Sequence, residues 1–438
     1  MGDWIGSDRL MAVESESKST QVSGVWPEEI PELVGIAMPE RLRVPVGVRG
    51  AAGTSVKPAG TRVRRGEALV DHAAESSHVP LAPADGTLGE VRPIRLTTGH
   101  PAVAVELIVS GESSTNGVNH AAASDDIFSL VQGLERIRSS GIWADRHASP
   151  DLIGQLNQVV ARPVDTLICT ILDSDAGLRL NATIAARHSE RVVAGVSLLA
   201  RIAGVHRSIL AVETLATAQW MAPLSKALFG ASLEMVDVVN DYPQSDPTLM
   251  IYSLTRRRLR PGNLPTTRGV LVLDAAAALA IGNGASHEPM LTVPVAVHDH
   301  IKRHSHFLEV AVGTPVEHVL KQLRIPTEYT VVRGGELLRD LGLRMDSVIA
   351  GGELTIHVTS PERPVVPEPC IRCAWCFEAC PTLIHPAFIL DAAQRRDMKM
   401  AERAGIGACI ECGICAHVCP SRLPLLKAIR ELRRDSDD

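Results

Sequence analysis

Eight of the nine cysteines fall in two matching runs near the end of the 438-residue chain. Cys370, Cys373, Cys376 and Cys380 precede Pro381, and Cys409, Cys412, Cys415 and Cys419 precede Pro420. Both runs read C-x2-C-x2-C-x3-C-P, a spacing that serves iron–sulfur chemistry. Three thiolates at i, i+3 and i+6 on a tight turn reach three corners of one cubane, while the fourth points away and ligates the other cluster. The spacing predicts two [4Fe–4S] clusters. Cys370, Cys373, Cys376 and Cys419 hold the first; Cys409, Cys412, Cys415 and Cys380 hold the second. Each proline ends its run and turns the chain away. Gly413 lets the backbone pass close to inorganic sulfide, where amide N–H groups donate. Its counterpart is Ala374, followed by Trp375, whose bulk is expected to shield the first cluster from water.

Other thiol chemistries fit less well. Structural zinc uses two separated C-x2-C pairs and needs neither a cysteine at i+6 nor a trailing C-P. Disulfides suit exported chains, and the opening MGDWIGSDRLMAVESESKST is polar and mixed in charge, unlike a signal peptide. Eight clustered thiols therefore read as metal ligands in a reducing compartment. Cys169, inside the apolar run VDTLICTIL, reads as a buried core thiol.

The elements that must position these thiols follow from composition and pattern. The length suggests about three domains. Aromatics are only 3% of residues, so the cores are aliphatic, and the net charge of −6 leaves no nucleic-acid footprint. No stretch of about 18 residues is apolar throughout. The closest, GVLVLDAAAALAIGNGA, carries Asp274 in its middle. The expectation is a soluble chain with no span of its own, so that any membrane link must come through a partner.

Residues 1–37 are rich in Ser, Glu and Gly and are expected to be a disordered tail. Residues 38–112 break into short apolar runs (LRVPVGVRG, GEALVDH, GTLGEV, AVAVELIVSG) split by Gly and Pro, a β module. Around Ala84-Asp85-Gly86 it resembles biotinyl/lipoyl-like barrels, without the lysine that would carry a prosthetic group. Residues 113–289 alternate between strands (Val164–Leu172, Ser208–Val212, Leu233–Val239) and helices (Asn181–Ala203, Glu213–Phe229). That order implies a parallel, Rossmann-like sheet. Gly282-Asn283-Gly284 reads as a C-cap turn.

Residues 290–361 hold strands at LTVPVAV, HFLEVAVG, Thr330–Arg333 and Leu354–Thr359, a β-grasp-like unit. A helix opens at Gly313-Thr314-Pro315-Val316-Glu317, with Thr314 as N-cap, Pro315 at N1 and Glu317 at N3. The Pro-rich SPERPVVPEP is a stiff linker into Cys370. Residues 362–438 carry both cysteine runs, with helices over Phe388–Ala404 and Leu423–Arg434. His298, His300, His304 and His306 read as a solvated hairpin, because no carboxylate or cysteine spacing supports a zinc site there. Arg256, Arg257, Arg258 and Arg260 read as a solvated basic face.

On CIRCAWCFEACP, CIECGICAHVCPSRLPLLKAIR, DYPQSDPTLMIYSLTRRRLRPGNLP and EPMLTVPVAV leading into VGTPVEHVL, the chain resembles one family over nearly its full length. That family is RnfC/RsxC, a component of the Rnf electron-transport complex. The resemblance implies a multidomain α/β plus β fold. Its parts would be an N-terminal barrel-sandwich-like module, a complex-I-flavin-subunit-like α/β domain, a β-grasp (SLBB-like) domain and a C-terminal α-helical two-cluster ferredoxin domain. It also implies partners: other subunits of a membrane electron-transport complex, and a redox protein such as a ferredoxin or a separate dehydrogenase.

The family's flavin site does not carry over. A glycine-rich loop of the type GLGGAGFP precedes the first strand of its α/β domain and cradles FMN and NADH phosphates with backbone N–H groups. Here the matching stretch is Ser139-Ser140-Gly141-Ile142-Trp143-Ala144-Asp145-Arg146-His147-Ala148-Ser149-Pro150. Only Gly141 remains, Ile142 and Trp143 block backbone approach, and Asp145 repels phosphate. The acidic loop after the first strand reads Leu172-Asp173-Ser174-Asp175-Ala176-Gly177, and Asp173 and Asp175 read as solvated loop carboxylates in preference to relics of a ribityl or nicotinamide contact. The expected function is an electron-transfer iron–sulfur subunit, relaying electrons through two clusters without its own FMN or NADH site. The alternatives are an NADH-oxidising FMN subunit with a divergent pocket, a corrinoid-reductase-like protein, and a scaffold with structural clusters. No acid–base pair or nucleophile is expected, because clusters would supply the chemistry.

Overall fold

The computed structural model describes residues 29–437 apart from 49–53, 75–76, 112–128, 174, 176–177, 215, 329 and 362–365. Most of the expected tail and part of the Pro-rich linker lie outside the described residues, as do Ser174, Ala176 and Gly177. The chain forms two compact units, one spanning Trp26–Pro361 and one containing Glu362–Asp438.

In the larger unit, strand Arg41–Val48 pairs antiparallel with Pro101–Val109, which pairs with Gly86–Arg95. Alternation drives the pairing: Leu42, Val44 and Val46 point into the core, as do Leu107, Val105 and Leu88.

The central sheet is parallel, ordered Glu234–Val238, Arg207–Glu213, Thr166–Thr170, Val270–Asp274. Its last strand was not among the expected ones. Val270–Asp274 is buried at every position and lies in the stretch that came closest to a membrane span. It ends where Asp274 accepts a hydrogen bond from the Ala277 N–H at 2.9 Å, which starts helix Ala275–Ala285.

That helix runs straight through Gly282-Asn283-Gly284, so these residues form no C-cap turn. The small residues serve a helix crossing instead. A Cβ on Gly282 would lie 2.0 Å from the Arg191 carbonyl oxygen, and one on Gly195 would lie 1.9 Å from that of Ala278. Two further helices are shorter than their patterns suggest. Asn181–Ala203 divides at His188 into Leu180–Arg187 and Ser189–Ala203, and the next helix begins only at Ala218.

A six-stranded sheet follows, ordered Val34–Gly35, His304–Ala311, Thr292–Asp299, Thr355–Thr359, Val331–Gly334, Leu341–Gly342. The end of the expected tail is thus a strand, with Val34 registered on Leu308. Thr314 is not an N-cap. Thr314 and Pro315 pair with Ile349 and Val348, the Thr314 hydroxyl donates to the Ala311 carbonyl at 2.7 Å, and helix Val316–Gln322 starts without a side-chain cap.

In the smaller unit the expected Phe388–Ala404 helix breaks at Arg396, which adopts φ +53. The pieces are Pro386–Arg395 and Met398–Arg403, the second capped by Asp397 accepting from the Met400 N–H. Helix Leu425–Asp437 packs on Pro386–Arg395. Among the described residues no helix is long and apolar enough to cross a membrane.

Candidate functional site

The two cysteine runs adopt one backbone path twice. Arg372 and Glu411 share φ near +55, Ala374 and Gly413 are both left-handed, and Leu383 and Arg422 repeat the feature after each proline. Short helices Trp375–Glu378 and Ile414–His417 follow the turns. Burial raises the Cys376 thiol, and the Cys419, Cys370 and Cys373 thiols add to that rise. Burial likewise raises Cys415, with Cys409, Cys412 and Cys380 adding to it.

The sets differ in exposure. Cys380, Cys409, Cys412 and Cys415 are buried and line one cleft with Ile384 and Leu426. In the other set Cys370 is exposed and the rest are half-buried. Trp375, beside Cys376 in the chain, is 54% exposed. Phe377 stacks on His385 with centroids 4.4 Å apart, beside the surface ring of Phe388.

Burial pushes the Cys409 thiol up to about 11 and raises Cys415 further, since a lone thiolate is poorly solvated there. A bound cationic metal reverses that preference. Among the described residues no three His, Cys, Asp or Glu side chains converge as a single-ion site. Backbone N–H groups already point at sulfur: Glu411 donates to Cys409 Sγ at 3.3 Å, and Ala387 donates to Cys376.

The second region of interest is the C-terminal edge of the parallel sheet, where α/β folds bind phosphate-bearing cofactors. Carboxylates of the chain occupy it. Asp173 accepts from the N–H groups of Asn181 at 2.8 Å and Ala182 at 3.3 Å, at the start of helix Leu180–Arg187. Asp151 caps helix Leu152–Ala161 through Gly154, and Asp274 caps Ala275–Ala285. Arginines neutralise two of these ends. Arg146 forks onto Asp274 at 2.6 and 2.5 Å, and Arg179 pairs with Glu213 beside Asp173.

Asp173 and Asp175 are therefore not solvated carboxylates. Asp173 is 4% exposed, and burial raises its pKa to about 8 against the pull of its two N–H donors. Asp175 accepts from the Leu337 N–H at 2.9 Å and lies 3.0 Å from His357 Nε2.

The loop 139–150 is packed into this edge. Ile142 and Trp143 are core residues, and Trp143 stacks on His78 with centroids 5.0 Å apart. A Cβ on Gly351 would lie 2.4 Å from the Trp143 carbonyl oxygen. The Asp145 carboxylate accepts from the Asp151 N–H at 3.3 Å. His147 Nε2 lies 3.0 Å from Asp246 and 3.4 Å from Glu336. Burial and Arg339 pull its pKa down, Glu336 and Asp246 pull it up, and the net shift is upward. No sequence signal singled out Arg146 or His147 as partners of Asp274 and Asp246.

Two minor constellations also changed meaning. His298 Nδ1 lies 2.7 Å from the Ser305 hydroxyl and His300 Nε2 lies 3.0 Å from His357 Nδ1, so His298, on strand Thr292–Asp299, and His300, in the turn after it, are both half-buried; His304 is exposed. Arg257 forks onto Asp165 at 2.7 and 2.8 Å, and Arg256 lies over the Tyr252 ring.

Comparison with known proteins adds the following. Residues 152–292 match the Nuo51 FMN-binding domain family, beginning directly after the 139–150 loop, and residues 365–420 match the 4Fe-4S dicluster domain family. The chain is 24% identical over 383 residues to the C component of the ion-translocating oxidoreductase complex of Edwardsiella ictaluri, covering 83% of this chain and 47% of that one. It is 22% identical to the C component of the proton-translocating ferredoxin:NAD(+) oxidoreductase complex of Clostridium ljungdahlii, covering 61% and 59%. It is 27% identical to the C component of the Na(+)-translocating ferredoxin:NAD(+) oxidoreductase complex of Acetobacterium woodii, covering 53% and 54%. The chain thus spans about half the length of the curated relatives it matches. Among solved structures, a chain of an NAD+-reducing [NiFe]-hydrogenase in the H2-reduced state aligns with a TM-score of 0.47 at 14% identity, covering 70% of this chain and 60% of that one.

Proposed function

Because the chain belongs to the RnfC family of electron-transport complex components, we propose that it is the electron-transfer iron–sulfur subunit of an Rnf-like membrane-associated oxidoreductase complex. Its partners would be the other subunits of that complex and a separate redox protein, on the cytoplasmic side. The observation that carries this reading is that the Cys376 thiol feels Cys419, Cys370 and Cys373, and the Cys415 thiol feels Cys409, Cys412 and Cys380, which supports two crossed sets of four. When bound, a [4Fe–4S] cluster takes up and releases one electron. Cys370, Cys373, Cys376 and Cys419 would hold the first, and Cys409, Cys412, Cys415 and Cys380 the second. The chain supplies thiolate ligands, N–H donors to sulfur from Glu411 and Ala387, and an apolar enclosure around the second set. The α/β domain would remain as a docking scaffold, flanked by a barrel-sandwich-like and a β-grasp-like module.

The FMN-binding domain match raises the question of flavin, and in our reading the residues here do not fit it. The carboxylates of Asp151, Asp173 and Asp274 already accept from the helix N-termini that a phosphate needs. An anion there would face the Asp151 and Asp274 carboxylates at close range. Arg146, the cation best placed to receive a phosphate, is held by Asp274. Flavin extraction and anaerobic titration test this. The expected result is about eight irons per chain, no flavin, and clusters that dithionite reduces and NADH alone does not. Near-stoichiometric flavin in correctly folded protein, or cluster reduction by NADH, would reinstate the NADH-oxidising alternative.

A further inference from the structure

The two candidate cluster sites share a backbone path but not their electrostatics. In the second run the residue just before the second cysteine, Cys412, is Glu411, and helix Leu425–Asp437 brings two arginines to it. Arg430 Nε donates to Glu411 Oε2 at 2.8 Å, and Arg433 Nη1 donates to Glu411 Oε1 at 2.9 Å. Arg433 Nη2 also donates to the backbone carbonyls of Ile406 at 2.7 Å and Cys409 at 2.8 Å. These side chains are each about three-quarters buried. Two guanidinium groups are thus fixed, largely out of solvent, beside the Cys409 loop. The matching residue of the first run is Arg372, which is exposed and makes no ion pair among the described residues.

Resting on the iron–sulfur reading above, we propose that Arg433 is a positioning residue that raises the reduction potential of the cluster held by Cys409, Cys412, Cys415 and Cys380 relative to its twin. Reduction adds one negative charge to a cluster, so a fixed cation nearby favours the reduced form. The low-dielectric surroundings strengthen that effect. Arg433 acts in two further ways. It ties down the carbonyl oxygens of Ile406 and Cys409, whose negative ends would disfavour an added electron. It also anchors Glu411 in its left-handed conformation, φ +56, from which the Glu411 N–H donates to Cys409 Sγ.

The test is a redox titration of the full chain followed by EPR. The signal that disappears in Cys373→Ala identifies the first cluster. Arg433→Met should move the midpoint of the remaining signal downward and leave the first cluster's midpoint in place. Arg433→Lys, which keeps the charge but loses the fork, should fall between. Glu411→Gln removes the opposing negative charge while keeping hydrogen-bonding groups, and should move the same midpoint upward. If Arg433→Met loses the cluster altogether, the sign of the Glu411→Gln shift decides. Unmoved midpoints in Arg433→Met and Glu411→Gln, or shifts confined to the first cluster, would overturn the proposal. Wild-type protein without two clusters would instead defeat the reading on which it rests.

Discussion

Arg146 and Asp274 form a bidentate pair at the end of the parallel sheet, with N–O distances of 2.5 and 2.6 Å and both side chains about 95% buried. Asp274 is also the cap of helix Ala275–Ala285, and Arg146 reaches on to the Gly351 carbonyl at 3.1 Å. One ion pair therefore joins the 139–150 loop, the last strand of the sheet and the turn at Gly351.

Removing one partner of such a pair leaves an uncompensated buried charge. Arg146→Ala should destabilise the larger unit by about 3–5 kcal/mol. Arg146→Lys should recover only a fraction, because an ammonium cannot fork. Denaturant unfolding followed by circular dichroism reads both; a loss under about 1 kcal/mol for Arg146→Ala would show that the pair does not hold the loop.

Asp173 makes stability depend on pH. Its folded pKa, about 8, lies above that of an unfolded aspartate. The folded state therefore binds the proton more tightly, and this contribution is complete at acid pH. It is lost progressively as pH rises from about 4 to about 8. Asp173→Asn removes the titration, so the difference in melting temperature between variant and wild type should move in favour of the variant between about pH 5 and about pH 8.5. A difference that stays constant across that window would exclude the effect.

The crossed thiol sets predict which signal each cysteine controls. Cys380→Ser should weaken the cluster held by Cys409, Cys412 and Cys415, and Cys419→Ser the one held by Cys370, Cys373 and Cys376. EPR of the reduced variants, calibrated with Cys373→Ala and Cys412→Ala, distinguishes crossed from uncrossed ligation.

Exposure differs between the sets, and a paramagnetic relaxing agent in solution reports it. A dysprosium chelate should broaden the signal that Cys373→Ala abolishes more strongly than the signal that Cys412→Ala abolishes, since Cys370 is at the surface and Cys412 is buried. Equal broadening would mean that the surroundings of the two sets are alike.

Gly195 tests the helix crossing. Gly195→Ala would place a methyl 1.9 Å from the Ala278 carbonyl oxygen, and backbone there has nowhere to move without parting the two helices. The expected cost is about 3 kcal/mol of stability by the same denaturant assay. An unchanged unfolding midpoint would mean that the helices adjust freely.

Much of the fold and the site is written locally. Val164–Leu172 reads as a strand because its run is apolar and β-branched, and it is one, as Thr166–Thr170. Val270–Asp274 was missed because VLVLD merges into an alanine run of helical character, and only the cap at Asp274 divides them. Thr314 failed as a cap because its hydroxyl found the Ala311 carbonyl and its backbone found Ile349, a partner 35 residues away. Gly282 resembled a helix stop until the crossing helix supplied Arg191 as its neighbour.

The sequence by itself determined the two C-x2-C-x2-C-x3-C-P runs, since ligand spacing on a tight turn is a local property, and it determined that loop 139–150 holds a single glycine, Gly141. The tertiary structure alone decided what that loop does instead. Arg146 meets Asp274 across 128 residues, and His147 meets Asp246 and Glu336. The same holds for the unequal surroundings of the two thiol sets, where Arg433 reaches Glu411 from another helix. Spacing along a chain fixes which groups can bind together locally. Burial and long-range charge pairing depend on which distant segments fold against them.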